Sequence, residues 1–209
     1  MKVLLINGSP RPRGCTYLAL KEVADTLEKE GIETEILYLG NGPIRDCIGC
    51  NLCQGKGKCV FDEDKANELI EKAKEADGFI FGSPVYYAHP SGRILSILDR
   101  AFYAGGEYFA HKPASSIVTA RRAGTTASLD VLNKYISDSQ MPLVGSTYWN
   151  MVFGPSPDLV KKDEEGLQSM RNLAKNMAWL LKSLEAGKDK GVKLPEAETA
   201  HWTNFNKAE

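Results

Sequence analysis

Apolar runs alternate along the chain with segments whose apolar residues recur at helical spacing. The first run, inside 2–7, is continuously apolar, which is typical of a strand covered on both faces. A helical stripe follows from Thr16 to Glu30, and Gly31 supplies a C-terminal stop. The same pattern predicts further strands at 32–39, 79–81, 116–119 and 143–148, one helix beginning at Asp62, and helices over 91–103, 125–139 and 165–184.

Five strands that alternate with five helices predict the α/β class, with a parallel sheet wrapped on both faces. The length of 209 residues suits one such domain, which we place at 1–186. An irregular cysteine-rich loop, 43–60, is inserted after the second strand. The segment 187–209 is rich in lysine, glycine and glutamate and is predicted to be a tail, in which Trp202 and Phe205 are candidate anchors.

Charge and composition exclude several classes of partner. The formal net charge of −1 argues against nucleic acid and anionic membranes, since both require a basic surface. No apolar run is long enough to span a bilayer, and the first run is too short for a signal peptide. We therefore expect a cytoplasmic protein whose thiols stay reduced, so that its five cysteines form no structural disulfides.

The loop between the first strand and the first helix has the composition of an anion site. Ligands of open parallel sheets bind at the carboxyl ends of the strands, where a helix N-terminus offers free N–H groups. The loop matches neither the P-loop nor the Rossmann pattern, which favours a phosphate monoester over either class of nucleotide. An ordinary strand–helix turn with solvated arginines is the alternative. The candidate cofactor-binding residues are Ser9, Arg11, Arg13, Gly14, Cys15 and Thr16.

Two further loops are expected at the same edge of the sheet. After the third strand, prolines stiffen a loop whose aromatic side chains suit the border of a flat ring. After the fourth strand, arginine or backbone N–H groups are suited to stabilise negative charge on such a ring. Taken singly, the aromatic residues fit a packing role and the arginines a solvated one. The candidates are Pro84, Val85, Tyr86, Tyr87, Arg121 and Gly124.

Four cysteines follow one another at the spacing C-x2-C-x2-C-x5-C. So compact a run suits the corners of an iron–sulfur cubane, whereas zinc sites more often use two separated pairs. Tetrathiolate zinc, redox-active thiols and reduced cysteines without a ligand are the alternatives. The candidate metal ligands are Cys47, Cys50, Cys53 and Cys59. The fifth cysteine, Cys15, is interpreted as structural, although its place at a helix N-terminus favours a lowered pKa.

The three loops, in this order, resemble those of the flavodoxin-like NAD(P)H-dependent FMN reductases. Gly8-Ser9-Pro10-Arg11 with Thr16 is similar to the phosphate loop of that family. Gly82-Ser83-Pro84-Val85-Tyr86-Tyr87, followed by Asp99-Arg100, is similar to its second signature. The cysteine run and the C-terminal Thr203-Asn204-Phe205 further resemble the iron–sulfur flavoproteins within that family. Cys15 departs from the pattern, since relatives commonly have asparagine there.

This resemblance implies a flavodoxin-like, doubly wound, five-stranded sheet of order 2-1-3-4-5. It implies FMN on the first two loops, a [4Fe-4S] cluster on the four cysteines, and a homodimer or homotetramer in which the tail reaches a neighbouring subunit. The chain is then expected to be an FMN-dependent oxidoreductase that passes electrons from NAD(P)H or a ferredoxin-like donor to a small acceptor. A cluster-free NAD(P)H:FMN, quinone or nitro reductase, a flavodoxin-like electron carrier and a zinc-stapled module are the alternatives.

Overall fold

The computed structural model describes residues 1–201 and 203 and is built around one sheet. Its strands are β1 Lys2–Asn7, β2 Glu33–Tyr38, β3 Gly78–Tyr86, β4 His89–Pro90, β5 Ala114–Ala120 and β6 Met151–Phe153. Five of them are parallel, in the order β2-β1-β3-β5-β6, while β4 pairs antiparallel with the end of β3. Because β4 lies off the parallel path, the predicted order 2-1-3-4-5 is confirmed for the parallel strands.

Helices cover both faces of the sheet, as predicted. They are α1 Cys15–Lys29, α2 Ala66–Glu75, α3 Gly92–Gly105, α4 Thr125–Asp138, α5 Pro157–Val160 and α6 Glu164–Asp189. Val3 and Leu5 pack in one buried cluster with α1 and α6, whereas Leu4 and Ile6 pack in a second cluster with α2, α3 and α4. The continuous apolar run of β1 is therefore explained by burial on both of its faces.

The predicted fifth strand, 143–148, is wrong in position. Leu143 forms an isolated bridge with β5, and the chain then leaves the sheet and returns only at β6. Side chains of α6 hold the intervening segment instead of the ladder. Asn176 Nδ2 donates to Gly145 O at 2.8 Å, and Asn172 Nδ2 donates to Thr147 Oγ1 at 3.0 Å. The alternation of apolar residues in 143–148 does not reveal that side chains of a distant helix form hydrogen bonds with this segment.

The helix predicted to begin at Asp62 begins four residues later, at α2. The N-cap residue Lys65 makes no side-chain capping bond, but the carboxylate of Asp64 accepts hydrogen bonds from Ala66 N, the first residue of α2, at 3.1 Å and from Arg45 N at 3.2 Å. Asp62 accepts from Asn67 Nδ2 at 2.9 Å. Asp62 and Asp64 therefore lie before the helix and not in its first turn, and their hydrogen bonds connect the chain around the cysteine-rich loop to α2.

The last helix continues to Asp189, beyond the predicted end at Leu184. The candidate anchors Trp202 and Phe205 lie outside the described residues, so the predicted contact of the tail with a neighbouring subunit stays a prediction. Among residues 1–201 and 203, we find no helix with the length and apolarity required to cross a membrane.

A charged triad links the outer strand β2 to β1 and α2, and it gives a testable pH dependence. Glu35 contacts Lys2 Nζ at 2.8 Å and Lys72 Nζ at 2.6 Å, and hydrogen bonds to these two lysines lower the pKa of Glu35 below its ordinary 4.5. The stabilisation is therefore complete above that ordinary value and is lost as the pH falls through the lowered pKa.

We expect Glu35→Gln to reduce the free energy of unfolding at pH 7 by no more than about 1 kcal/mol, since the triad is partly exposed. In urea unfolding from pH 7 to about pH 3, the difference from the wild type should shrink towards zero as Glu35 protonates. A difference that stays constant over this range would contradict the electrostatic explanation.

Candidate functional site

The loop between β1 and α1 is held in place by its own polar groups. Ser9 N donates to Asn7 Oδ1 at 3.1 Å, and Arg11 N donates to Ser9 Oγ at 3.1 Å. Tyr38 OH, at the end of β2, donates to Pro10 O at 2.7 Å. These bonds fix the path of the loop at the carboxyl edge of the sheet, where the sequence predicts a phosphate site.

Two contacts join the start of α1 to the end of β5 and to the loop after β6. Thr16 Oγ1 lies 2.8 Å from Thr119 Oγ1, and both residues are buried. Cys15 Sγ donates to Gly154 O at 3.5 Å. Burial raises the pKa of the Cys15 thiol, and its backbone hydrogen bond and the charge of Arg11 offset this rise only in part. The lowered pKa expected at the helix N-terminus is therefore wrong, and a neutral thiol suits the structural interpretation.

The second predicted loop is shorter than expected, because β3 continues through Pro84, Val85 and Tyr86 and only a two-residue hairpin turn separates it from β4. The turn residues, Tyr87 and Ala88, have positive φ angles of 48° and 61°, the conformation that fits the twist of paired strands. Gly124, with φ of 87°, lies directly against this hairpin, since a Cβ there would be 2.5 Å from Ala88 Cα. The close approach of the second and third loops therefore requires glycine at position 124.

The carboxyl ends of β1, β3, β5 and β6, the segments that follow them and the start of α1 surround one cavity of about 260 Å³. Eight predicted cofactor-binding residues share its wall with four others. The predicted ones are Ser9, Arg11, Cys15, Thr16, Pro84, Val85, Tyr86 and Arg121, and the others are Thr119, Ala120, Gly154 and Pro155. The structure thus joins the three predicted loops into a single concave site.

Four of the predicted cofactor-binding residues do not line this cavity. Arg13 and Tyr87 are exposed, and Tyr87 is fully accessible to solvent. Gly14 is buried, and a Cβ there would lie 3.0 Å from Arg11 Cβ. Gly124 packs against Val85 and Ala88 of the β3–β4 hairpin. Their roles as direct ligands stay predictions, while the structure gives the two glycines a supporting role.

Sequence reasoning missed the loop after β6, which contributes Gly154 and Pro155. The miss follows from placing the fifth strand at 143–148, because the loop sought after that strand then falls too early. A signal was present in the short apolar run Met151–Phe153, which ends at Gly154-Pro155-Ser156-Pro157. Glycine and proline clusters of this kind mark the end of a strand.

The cysteine-rich loop, 43–60, contains no helix or strand and gathers its four thiols around a second, small cavity of about 20 Å³. Cys59 is buried, Cys47 and Cys53 are half-buried, Cys50 is exposed, and all four are free thiols. In the part of the chain that the structure describes, no three Cys, His, Asp or Glu side chains are arranged to hold a metal ion. The predicted ligands therefore share one cavity without adopting a metal-binding geometry.

Arg100, on α3, lies in the wall of the same cavity and is almost completely buried. Its Nε donates to Cys59 Sγ at 3.3 Å, and its Nη1 forms an ion pair with Asp64. Burial acts to lower the pKa of the guanidinium, but the bonds to Cys59 and Asp64 outweigh burial and raise it. The sequence marks this arginine only as part of a signature, and its contact with a cysteine was not predicted.

Comparison with known proteins places this arrangement in a family. The family model described as NADPH-dependent FMN reductase matches residues 1–155. An iron–sulfur flavoprotein of Methanocaldococcus jannaschii is 34% identical over 193 residues, which cover 88% of this chain and 100% of the relative. An iron–sulfur flavoprotein of Archaeoglobus fulgidus is 30% identical over 191 residues, which cover 85% of this chain and 94% of the relative.

Solved structures agree with this fold. RosB, with a bound riboflavin-phosphate intermediate, matches at a TM-score of 0.68 and 18% identity, covering 100% of this chain and 93% of RosB. The NAD(P)H:quinone oxidoreductase from Methanothermobacter marburgensis matches at 0.65 and 17% identity, covering 85% of this chain and 98% of that one. An archaeal flavodoxin matches at 0.60. The chain therefore belongs to the flavodoxin-like NADPH-dependent FMN reductase family, within its iron–sulfur flavoprotein subgroup, and is a flavin-dependent oxidoreductase.

Proposed function

We propose that this protein binds FMN in the cavity at the carboxyl edge of the sheet and passes electrons from NAD(P)H to a small acceptor. The observation that carries the proposal is the convergence of the anion loop, the aromatic hairpin and the arginine loop on one cavity. FMN supplies the redox chemistry when bound, and the protein supplies its binding, its orientation and the charge around it.

The polar and apolar parts of the cavity suit the two ends of FMN. Arg11 and the N-terminus of α1 provide positive charge and free N–H groups for the phosphate. Pro84 and Tyr86, held on the stiff hairpin, provide an apolar surface for the ring. Arg121 adds positive charge that would stabilise an anionic reduced ring. Each of these residues acts by binding or by charge, and no side chain is assigned a bond-making role.

We further propose that Cys47, Cys50, Cys53 and Cys59 hold a [4Fe-4S] cluster. Their thiols are free and line one cavity, and a buried guanidinium lies beside Cys59, which suits an anionic cluster. The relatives named as iron–sulfur flavoproteins add support. The cluster would let the protein exchange single electrons with a donor such as a ferredoxin, alongside two-electron exchange with NAD(P)H.

The decisive experiment is an anaerobic absorption spectrum before and after dithionite, with FMN, iron and acid-labile sulfide measured per chain. We expect flavin bands that bleach together with a broad cluster absorption. If FMN binds but iron and sulfide are absent even after anaerobic reconstitution, the cluster proposal is wrong and the alternative of a cluster-free NAD(P)H reductase is favoured. Failure to bind FMN at all would overturn the proposal as a whole.

Stopped-flow mixing with NADPH separates an enzyme from an electron carrier. We expect NADPH to bleach the flavin and a quinone or nitroaromatic acceptor to restore its colour. Absence of bleaching, together with rapid electron exchange with reduced ferredoxin, would instead favour a carrier. The proposed homodimer or homotetramer is tested on the same holoprotein by light scattering.

The structure distinguishes the two arginines of the anion loop. Both side chains are exposed, but Arg11 lines the cavity and Arg13 lies outside its wall. We expect Arg11→Ala to weaken FMN binding about tenfold, since it removes a charge-assisted contact with the phosphate. Arg13→Ala, the matched control, should leave the affinity almost unchanged. Quenching of flavin fluorescence during titration of the apoprotein measures both, and equal losses would contradict this assignment.

A further inference from the structure

We infer that Arg100 is a positioning residue that closes the cysteine-rich loop and tunes the cluster through Cys59. The first half of this inference, the closing of the loop, rests on the contacts of the described chain alone. The second half, the tuning, rests on the proposed [4Fe-4S] cluster. The two halves are tested by different measurements, so that a failure of the cluster proposal does not decide the role of the arginine.

One guanidinium connects both ends of the loop. Arg100 Nη1 donates to Arg45 O at 3.2 Å, before the first cysteine of the run. Its Nη2 donates to Phe61 O at 2.7 Å, after the last cysteine, and its Nε donates to Cys59 Sγ at 3.3 Å. Asp64 completes the set by pairing with Nη1. Arginine suits this position because its rigid fork presents donors in several fixed directions.

Two further contacts hold the ends of the loop together. The guanidinium of Arg45 lies over the ring of Phe61, 4.4 Å from its centroid. Asn67, on α2, accepts from Cys59 N at 2.8 Å and donates to Cys59 O at 3.0 Å. Cys59 is therefore fixed by its backbone through Asn67 and by its sulfur through Arg100, whereas Cys50 is exposed. The loop thus presents one fixed ligand with three more accessible ones.

Helix α3 also connects this loop to the flavin edge of the sheet. At the start of α3, Ser91 Oγ donates to Gly8 O at 2.8 Å, and Ser91 N donates to Ser83 Oγ at 2.9 Å. Arg100 lies nine residues further along the chain, about 13 Å along the helix axis. The start of α3 therefore contacts the backbone of Gly8 and the hydroxyl of Ser83 at the edge of the proposed FMN site, while Arg100, nearer its other end, contacts the cysteine-rich loop.

The charge of Arg100 has a definite consequence for a cluster on these cysteines. A cation beside a ligand sulfur stabilises the more negative, reduced state more than the oxidised one, and burial strengthens the interaction. Arg100 should therefore raise the reduction potential. Replacement by glutamine removes the charge, whereas replacement by lysine keeps the charge but loses the fork.

Hydrogen exchange tests the closing of the loop without any need for a cluster. The amides of Arg45 and Cys59 are the reporters, because Arg45 N donates to Asp64 at 3.2 Å and Cys59 N donates to Asn67 at 2.8 Å. In Arg100→Lys, we expect both amides to exchange about tenfold faster than in the wild type, with β1 and β3 unaffected. Unchanged exchange at both amides, or general loss of protection across the sheet, would overturn the closing role.

Redox titration of the reconstituted holoprotein, followed by absorption and by electron paramagnetic resonance, tests the tuning. In Arg100→Gln, we expect the one-electron reduction equilibrium to shift about tenfold towards the oxidised cluster, or about 59 mV to lower potential. Arg100→Lys should shift the potential less. The control is Arg93→Gln, which removes a charge from the same helix, since Arg93 Nη1 donates to Gly42 O at 2.9 Å and no hydrogen bond joins Arg93 to a cysteine among the described residues.

Each outcome decides one part of the inference. A potential in Arg100→Gln equal to that of the wild type, or a shift as large in Arg93→Gln, refutes the tuning role. If Arg100→Gln does not assemble a cluster while the wild type does, the Arg100→Lys potential decides: a small shift to lower potential supports the tuning role, and a value equal to the wild type refutes it. If the reconstituted wild type contains no iron, the cluster proposal fails. The hydrogen-exchange rates of Arg100→Lys then still test whether Arg100 closes the loop.

Discussion

Cys53→Ser is expected to abolish the iron and sulfide content of the reconstituted protein while leaving FMN bound. Cys53 is half-buried against the core cluster beneath α3, and its Sγ donates weakly to Tyr103 O at 3.9 Å. Serine fits the space, but an alcohol is a poor ligand for an iron–sulfur cluster, which is held by thiolates. Neither Cys53 nor Tyr103 lines the cavity that is proposed to hold FMN, so the FMN content should be unaffected.

The fifth cysteine provides the control for this experiment. Cys15 lies in the wall of the flavin cavity and donates to Gly154, away from the cysteine-rich loop. Cys15→Ser should therefore retain the iron and sulfide content of the wild type. Iron, sulfide and FMN are measured per chain in both variants, together with the visible absorption spectrum. If Cys53→Ser keeps both cofactors at full occupancy, the assignment of Cys53 as a ligand is wrong.

Gly124→Ala is expected to reduce the free energy of unfolding by about 2–4 kcal/mol and to weaken FMN binding. Two costs combine in this change. The positive φ of Gly124 is strained for alanine, and the new methyl group would meet Ala88 Cα at 2.5 Å and Val85 Cγ1 at 3.0 Å. Because both contacts belong to the hairpin, relief of the clash must displace the hairpin that carries Tyr86, which lines the flavin cavity.

Gly92→Ala is the matched control, because Gly92, like Gly124, is a glycine at the N-terminal end of a helix. A Cβ at position 92 would have open space around it. This control should unfold no earlier than the wild type, because alanine favours a helix more than glycine does. Urea unfolding of the apoprotein and fluorescence titration with FMN measure both effects. Equal stability of the two variants would show that the hairpin adapts to a side chain at position 124.

The parts of the fold that sequence could predict are those decided by local patterns. The apolar run of β1 and the stripe of α1 follow from burial alone, and the small residues of the first loop mark the anion site. The parallel direction of the strands then follows from the alternation of elements, whereas their order was implied by the resemblance to the flavodoxin-like family. The sequence therefore predicted the edge of the sheet at which the structure has a cavity.

What sequence could not predict depends on side chains that bind residues distant in the sequence. Asn172 and Asn176 draw 145–147 away from the sheet, and nothing near Gly145 in the sequence indicates this. Arg100 lies 41 residues from Cys59, so its contact with the sulfur is equally invisible in a local pattern. The sequence named the four cysteines, but their surroundings required the structure.

The excursion of the chain before β6 also bears on solubility. An outer strand with a long row of free N–H and C=O groups is a template for strands of other molecules, and such pairing leads to aggregation. Here β6, one of the two edge strands, is only three residues long, and two asparagine side chains of α6 bind the segment before it. This edge of the sheet therefore offers only a short row of free groups to a strand of another molecule.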